Sequence, residues 1–335
     1  MDLGRNDLRM SNTFTSGSNV LIERPPPSEN QDYPRGIINP IDKQSVMQSL
    51  NVDSRFRDNY YGTSSSDFQV NLPTKIKRVV EMQLGEIEIP VSFYSISARL
   101  GNNYFWVREN GGGTTKCIII PDGNYSGADL VQYINDELNR SPIISTITFV
   151  FDETSSGSGT GRIVAARNTP VLTPTNFELN FSAPISQTND TDVYDTNDTA
   201  TPLQLKLGWL MGYRYPKYIN SSAYTSEGLF DTQSPRYLYL VIDDFNNNSN
   251  NSLVTAFNSS ILSKCILARI SLKQISNNIA DNDYGLASNP PTRSYFGPVD
   301  IQKLRVQVID EYGRILDMNN MDISFVLNFS CLVSN

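Results

Sequence analysis

From Val46 to the C-terminus the chain alternates apolar and polar residues with a period of two, in short runs parted by Gly, Pro, Asn, Asp and Ser clusters. Period two puts alternate side chains on opposite faces of an extended strand, and the clusters are turn chemistry, so the pattern predicts antiparallel β-structure. DFQVNLP (67–73) opens the series. In IKRVVEMQLGEIEIP, which follows, Val80, Met82 and Leu84 share one face, then the parity switches so that Ile87 and Ile89 are the apolar positions. One extra residue at Gly85-Glu86, a β-bulge, restores the face. Further strands are predicted at 103–109, 115–121, 147–153, 161–166, 176–181, 236–243, 265–272 and 300–310, and a last one in MDISFVLNFSCLV, where Ile323, Phe325, Leu327, Phe329 and Cys331 alternate. The EYGRILDMNN stretch between the final two predicts a long hairpin. A single helix interrupts them: Ser126 and Asp129 form an N-terminal capping pattern, Leu130, Val131, Ile134 and Leu138 recur at helical spacing, and Pro142 ends it. About eleven strands and one helix predict a two-sheet sandwich, and no repeat of fixed period points to a propeller or solenoid.

Residues 1–44 lack a sustained apolar period and carry Pro25, Pro26 and Pro27, which predicts an extended arm ahead of a folded part spanning 45–335. Five cations in the arm face six carboxylates, whereas an arm that binds nucleic acid is strongly basic; protein is the better partner, and Pro25, Pro26, Pro27 and Tyr33 are its candidate contacts. Within the folded part, 182–202 carries Asp190, Asp192, Asp195 and Asp198 without Lys or Arg, and 244–252 is almost wholly polar, so 182–260 reads as an inserted loop region.

The chain contains no histidine, and its 27 Lys and Arg against 35 Asp and Glu leave a charge of −8. Ser-His-Asp and Cys-His nucleophiles, His-ligated zinc and haem, and an imidazole switch are therefore excluded. No metal or cofactor is expected. Cys117, Cys265 and Cys331 lie far apart among apolar residues and read as buried free thiols in a reducing compartment. No apolar run reaches the roughly 18–20 residues of a membrane span, and the N-terminus lacks a signal peptide's apolar region. Asn-x-Ser/Thr sequons such as Asn124, Asn189 and Asn258 follow from the Asn, Ser and Thr content.

Four constellations invite a chemical reading. The aspartates at 190–198 are hard ligands of the kind Ca²⁺ prefers, but the glycine turn and closing Glu of an EF-hand loop are missing, which favours a solvated acidic loop. Gly111-Gly112-Gly113 lacks a following Gly-Lys-Ser/Thr and sits between two strands, so a hairpin turn outweighs a phosphate cradle. Glu86 and Glu88 share a strand face, which reads as the wet face rather than a catalytic pair. Finally, WLMGYRYPKYINSSAY gathers Trp209, Tyr213, Tyr215, Tyr218 and Tyr224 with Arg214 and Lys217, a composition suited to protein contact or sugar binding and equally to a packed core. The net negative charge argues against nucleic acid.

Residues 49–97 resemble the start of a family of virion structural proteins from the nucleocytoplasmic large DNA viruses. The likeness lies in the order Asp53-Ser54-Arg55, Arg57-Asp58, a Tyr and Ser/Thr spacer, Asp67-Phe68, a strand ending Leu72-Pro73, and a second closing on Ile89-Pro90. GNYSGADLVQYINDELN (123–139), LGWLMGYR (207–214) and KLRVQVIDEYGRILDMNNMDISFVLNF (303–329) look like later pieces of the same family. The resemblance implies a minor capsid or penton-type protein, without enzymatic activity, on an antiparallel jelly-roll β-sandwich. It implies major capsid and other minor capsid proteins as partners, leaves room for self-association, and places the chain in a virion assembled in the host cytoplasm. It supplies no catalytic or ligand residues. Physically, Asp53, Arg55 and Arg57 can form charge-assisted pairs that fix the arm where it enters the first strand, or be a solvated cluster. The competing class is a carbohydrate-binding β-sandwich that uses Tyr215 and Tyr218.

Overall fold

The computed structural model describes residues 44–109, 113–154, 157–168, 176–189, 191–231, 235–246, 265–272, 275–276, 279–283 and 290–333. Two unusually long strands organise the larger part. β1 (Ser45–Asp53) is followed by β2 (Asp67–Pro90), which runs for 24 residues. After the intervening elements come β10 (Tyr237–Asp243), β11 (Ile266–Ser271), β12 (Ile275–Ser276), β13 (Ile279–Asp283), the 18-residue β14 (Thr292–Ile309) and β15 (Ser324–Leu332). These strands form one antiparallel sheet in the order β11-β10-β14-β2-β13-β12, with β15 on the other edge of β2 and β1 on β15.

So long a pair cannot stay regular. The β2–β14 register shifts three times between Ser294 and Lys303, and Arg78, at φ 58°, donates its backbone N–H to Asp300 Oδ1 at 3.0 Å. Such breaks bend and twist a strand. Side chains from both halves of β2 consequently meet in one core: Phe68 and Leu72 from the first half, Met82, Leu84 and Ile87 from the second, with Leu240, Ile270 and Phe329. The result is an antiparallel β-sandwich.

The bulge expected at Gly85-Glu86 is present. Phe325 faces Ile87 but Leu327 faces Leu84, so one residue of β2 is extra there, and Leu84, Ile87 and Ile89 are all buried while Glu86 and Glu88 stay exposed. A second shift was not foreseen. Ser330 faces Glu81 but Cys331 faces Val79, and this extra residue makes Val79, not Val80, the buried partner of Met82.

The hairpin expected between β14 and β15 does not form. Arg293 of β14 and Phe329 of β15 both pair with Met82, so β2 lies between them. The connecting loop is instead tied down by side chains: Asp310 Oδ1 accepts from the Tyr312 and Arg314 backbone N–H groups, and Ser65 and Ser66 donate to the Met321 and Leu316 carbonyls at 2.6 and 2.5 Å.

Residues 96–230 contribute a second core. Here β3 (Tyr104–Glu109), β4 (Thr115–Ile119), α1 (Gly127–Leu138), β5 (Ile147–Glu153) and β6 (Gly159–Arg167) are followed by β7 (Phe177–Asn180), α2 (Thr191–Tyr194), α3 (Leu207–Leu210), β8 (Lys217–Ser221) and β9 (Ala223–Thr225). A four-stranded sheet β4-β3-β7-β8 and a three-stranded sheet β9-β6-β5 result, both antiparallel. The Ser126 hydroxyl caps α1 by accepting from Asp129 N at 3.1 Å, and Leu130, Val131, Ile134 and Leu138 are buried. Gly127 is required by packing, since a Cβ there would lie 2.7 Å from the Phe151 ring. The expectation of a single helix is corrected: α2 and α3 are four-residue turns, too short to show helical periodicity in a sequence.

Within 182–260, Ala183 and Tyr194 pack on a small cluster around Trp106, apolar residues from Leu203 to Phe230 pack on the second core, and β10 belongs to the large sheet. The β3–β4 register spans the glycine run, of which Gly113 is described and Gly111 and Gly112 lie outside the described residues. Cys117 and Cys331 are buried, Cys265 is half-buried, and none of the three is in a disulfide. Burial pushes the Cys117 thiol up to about 11. Among the described residues no helix is long and apolar enough to cross a membrane.

Phe329 is fully buried in the large core and Phe56 is 82% exposed. Phe329→Ala is expected to lower unfolding free energy by about 3–5 kcal/mol, and Phe56→Ala to change it by less than about 0.5 kcal/mol, in guanidinium titrations followed by circular dichroism.

Candidate interaction surface

Where β1 ends, the backbone turns through Ser54–Phe56, and this turn is built by the charged residues the sequence singled out. Asp53 Oδ1 accepts the Arg55 backbone N–H at 2.9 Å, capping the turn, and the Arg55 guanidinium forks back onto the same carboxylate at 2.5–3.0 Å. The Arg55 hydrogen bond holds the Asp53 carboxyl below its usual value. The Arg55 side chain itself remains two-thirds exposed.

Arg57 does something different. Its side chain is only 7% exposed, and Nη1 donates to Ser54 O at 2.7 Å and to Asp322 Oδ1 at 2.9 Å. Nη2 reaches the Tyr60 and Thr63 carbonyls at 3.2 and 3.4 Å, and the guanidinium lies 3.9 Å from the centre of the Tyr60 ring. Ser54 completes the lock: its Oγ donates to Asp322 Oδ1 at 2.7 Å and accepts Ile323 N at 3.0 Å, while its own N–H donates to Ile323 O at 2.9 Å. Nearby, Arg305 forks onto Asp67 with two bonds of 3.0 Å, and Asn71 donates to Asp58 at 2.8 Å. The three sequence candidates thus divide: Arg57 is a structural staple, Asp53 a cap, and only Arg55 offers charge to solvent. Asp322 and Ser54 were missed, because nothing local in MNNMDISF marks the aspartate as Arg57's partner across the chain.

Around this lock lie apolar groups that a sandwich core would ordinarily claim. Phe56 is 82% and Tyr61 99% exposed, and at the other end of β1 Val46 and Met47 are about half exposed. A cleft of about 230 Å³ runs between Asn51–Asp53 of β1 and Phe68–Asn71 of β2, with Phe56 at its wall. A second, of about 370 Å³, opens beneath Arg55 toward Glu88 and Pro90.

The tyrosine stretch belongs to the second core and is mostly interior. Tyr213 is fully buried and stacks on Phe181 with ring centres 5.1 Å apart; Tyr224 is buried beside Phe177. Half-buried Tyr218 donates to Glu227 Oε2 at 2.6 Å and accepts the Arg214 N–H at 3.0 Å, and the Arg214 guanidinium lies 4.1 Å from the Trp209 ring. Of the five rings only Tyr215, 60% exposed and edge-on to Tyr218, is freely presented. The two sets of candidates are not brought together; they serve separate cores.

Two of the four aspartates of the acidic excursion are paired with cations from outside it. Asp198 pairs with buried Lys206 at 2.5 Å, which holds its carboxyl far below the usual range, and Asp195 pairs with Arg108 at 3.1 Å. The Tyr194 hydroxyl of α2 donates to Glu178 at 2.7 Å beneath that arginine, and its ring packs on Trp106. Among the described residues no three Cys, Asp or Glu side chains gather as metal ligands would. Asp190 and the arm candidates Pro25, Pro26, Pro27 and Tyr33 lie outside the described residues.

Among solved structures, the chain is similar to the mavirus penton protein, with 10% identity, 87% of this chain and all of that one covered, and a TM-score of 0.41. It is similar as well to a chain of the Sputnik virophage solved by cryo-EM, with 15% identity, 86% of this chain and 98% of that one covered, and the same TM-score of 0.41. No protein-family model and no curated protein matches it.

Removing the buried guanidinium strands Asp322 and several carbonyls, so Arg57→Ala is expected to cost about 3 kcal/mol. Arg57→Lys should recover little, because an ammonium cannot reproduce the fork. Arg55→Ala should leave the denaturation midpoint unchanged. A second expectation concerns alkali. Burial raises Tyr218 to about 12 and Tyr213 further still. A folded value above the ordinary one of about 10 contributes stability that is complete below about pH 10 and is lost as pH climbs beyond it. Absorbance at the tyrosinate band and circular dichroism should therefore show the last tyrosines ionising together with loss of fold; their ionisation with the fold intact would contradict the packing.

Proposed function

We propose that the chain is a non-enzymatic structural component of a large icosahedral DNA virus capsid. One observation carries the reading: the segments on which the resemblance to virion proteins rests, 49–97 and 303–329, are those that lock together in space. Ser54 and Arg57 meet Asp322, Ser65 and Ser66 meet the Met321 and Leu316 carbonyls, and Asp67 meets Arg305. Residues far apart in sequence that recur in one order and make one structural unit are a fold signature rather than chance matches of turns.

In this reading the sandwich is a rigid platform, and the arm of 1–44 is the segment that engages neighbours. As a minor capsid protein it ties major capsid capsomers together through arm and loops. As a penton it forms a fivefold ring with heterologous contacts between copies. Both act in the virion and neither needs a cofactor.

Quantitative mass spectrometry of purified virions is the test. The chain should be present in a fixed ratio to the major capsid protein and stay with the shell when lipid is stripped by detergent. Absence from particles that contain the rest of the capsid would overturn the reading. Light scattering on the full chain separates the two positions: a discrete pentamer favours the vertex, a monomer the cement protein.

A further inference from the structure

The strand β1 breaks the usual rules for a sheet edge. It pairs with β15 along all nine residues, Ser45 to Asp53, without a register break, and among the described residues nothing pairs with its other edge. Solvent-facing edges are normally guarded by lysine, proline, a bulge or extreme shortness, because free N–H and C=O groups template pairing with another chain. SVMQSLNVD has none of these guards, and its one charge comes at the last residue. Val46 and Met47 add exposed apolar surface. The open edge leads into the cleft of about 230 Å³ whose other wall is Phe68–Asn71 of β2, a stretch that pairs with β14 on one side only among the described residues. The cleft thus lies between the last three residues of β1, the exposed Phe56 ring and the open side of Phe68–Asn71, and the remaining six residues of β1 continue from it as an open edge.

The arm's sequence says which strand. Pro25, Pro26, Pro27, Pro34 and Pro40 lack a backbone N–H, so the arm's C-terminal half cannot supply a continuous ladder. The part before Pro25 contains no proline, and its one run of three apolar residues is Val20-Leu21-Ile22. In SNVLIE (18–23), Val20 and Ile22 share one face and would extend the row begun by Val46 and Leu50. The linker sets how far that segment reaches. Residues 24–44 hold all five of the arm's prolines, including the Pro25–Pro27 run, and in polyproline form at about 3.1 Å per residue they reach about 65 Å, roughly twice the length of β1. A spacer of that reach is long enough to carry the strand-forming segment past its own edge to that of a neighbour.

We infer that residues 18–23 of one copy add a strand to the free edge of β1 in a second copy. The contact is head-to-tail, so repeating it builds a closed ring where the rotation between copies closes and an open chain of copies where it does not. This deepens the proposed capsid role by naming the arm's partner as a second copy of this chain.

The experiment uses full-length chains carrying one new cysteine each. One set has Val20→Cys, Leu21→Cys or Ile22→Cys in turn; the other chain has Gln48→Cys, at an exposed position of β1. Equal amounts are mixed, oxidised mildly, and read by non-reducing electrophoresis and peptide mass mapping, with the unaltered chain reporting on its native thiols. A covalent pair joining the arm cysteine of one chain to Cys at 48 of the other is the expected result, because neither chain alone can form it. If that link is absent while a single chain bearing both cysteines closes on itself, the arm serves its own edge and the inference fails. If neither link forms, the edge is not the arm's dock and it fails equally. Neither failure touches the mass-spectrometric test of virion membership, which can succeed with a monomer.

Discussion

Burying a guanidinium is costly unless its charge and most of its donors are answered, and much of this fold is arranged to answer Arg57, whose two Nη atoms are bonded while Nε alone finds no partner. Its carboxylate partner, Asp322, comes from the far end of the chain, and Ser54 is held against the same oxygen. The chain entering β2 and the chain entering β15 are therefore fixed to one another before either strand begins. Buried ion pairs are poor sources of stability, because desolvation offsets most of their attraction. What this one supplies is register. A strand of alternating residues tolerates no slip of one position, and Arg57 pins both strands that need pinning.

The loop that carries Asp322 has a second duty. Its Asp317 pairs with Arg99 at 2.8 Å, its Arg314 reaches the Leu100 carbonyl at 3.3 Å, and Met318 O accepts from Ser92 at 2.6 Å. The segment that leaves the sandwich to build the second core is thus tied to the same loop that closes the sandwich. The loop that replaces the expected hairpin is consequently a junction of three elements: the turn after β1, the exit from β2, and the start of β15. A tight hairpin could not have made those contacts.

How much of this was legible follows from which interactions are local. Strand positions from 103 to 181, the helix with its Ser126 cap, and the bulge at Gly85-Glu86 were readable because alternation, capping and parity are properties of neighbouring residues. The burial of Val79 in place of Val80 was not, since the bulge responsible is felt only against β15. The two four-residue helices were too short to have a period. The hairpin expectation failed for a related reason: adjacency in sequence favoured pairing β14 with β15, whereas β2 is long enough to offer an edge to each. Among the candidate contacts, composition grouped Tyr213 with Tyr215 and Arg57 with Arg55. Packing divides both pairs, one member inside and one outside, because residues two apart at a turn or loop need not share a face.

That division sharpens what an exposed group means here. Among the described residues the apolar side chains fill two large cores and two smaller clusters, with rings as large as Trp106 and Tyr213 fully interior. Against that background, Phe56 and Tyr61 left in water, beside an unguarded nine-residue edge, are not a shortage of room. The same turn that buries Arg57 projects Phe56 outward, so one short segment both closes the sandwich and presents a ring. Monomeric sheet proteins avoid that combination because it invites association. Its retention on β1 suits the proposed capsid role, in which a neighbour covers the edge that this chain leaves open.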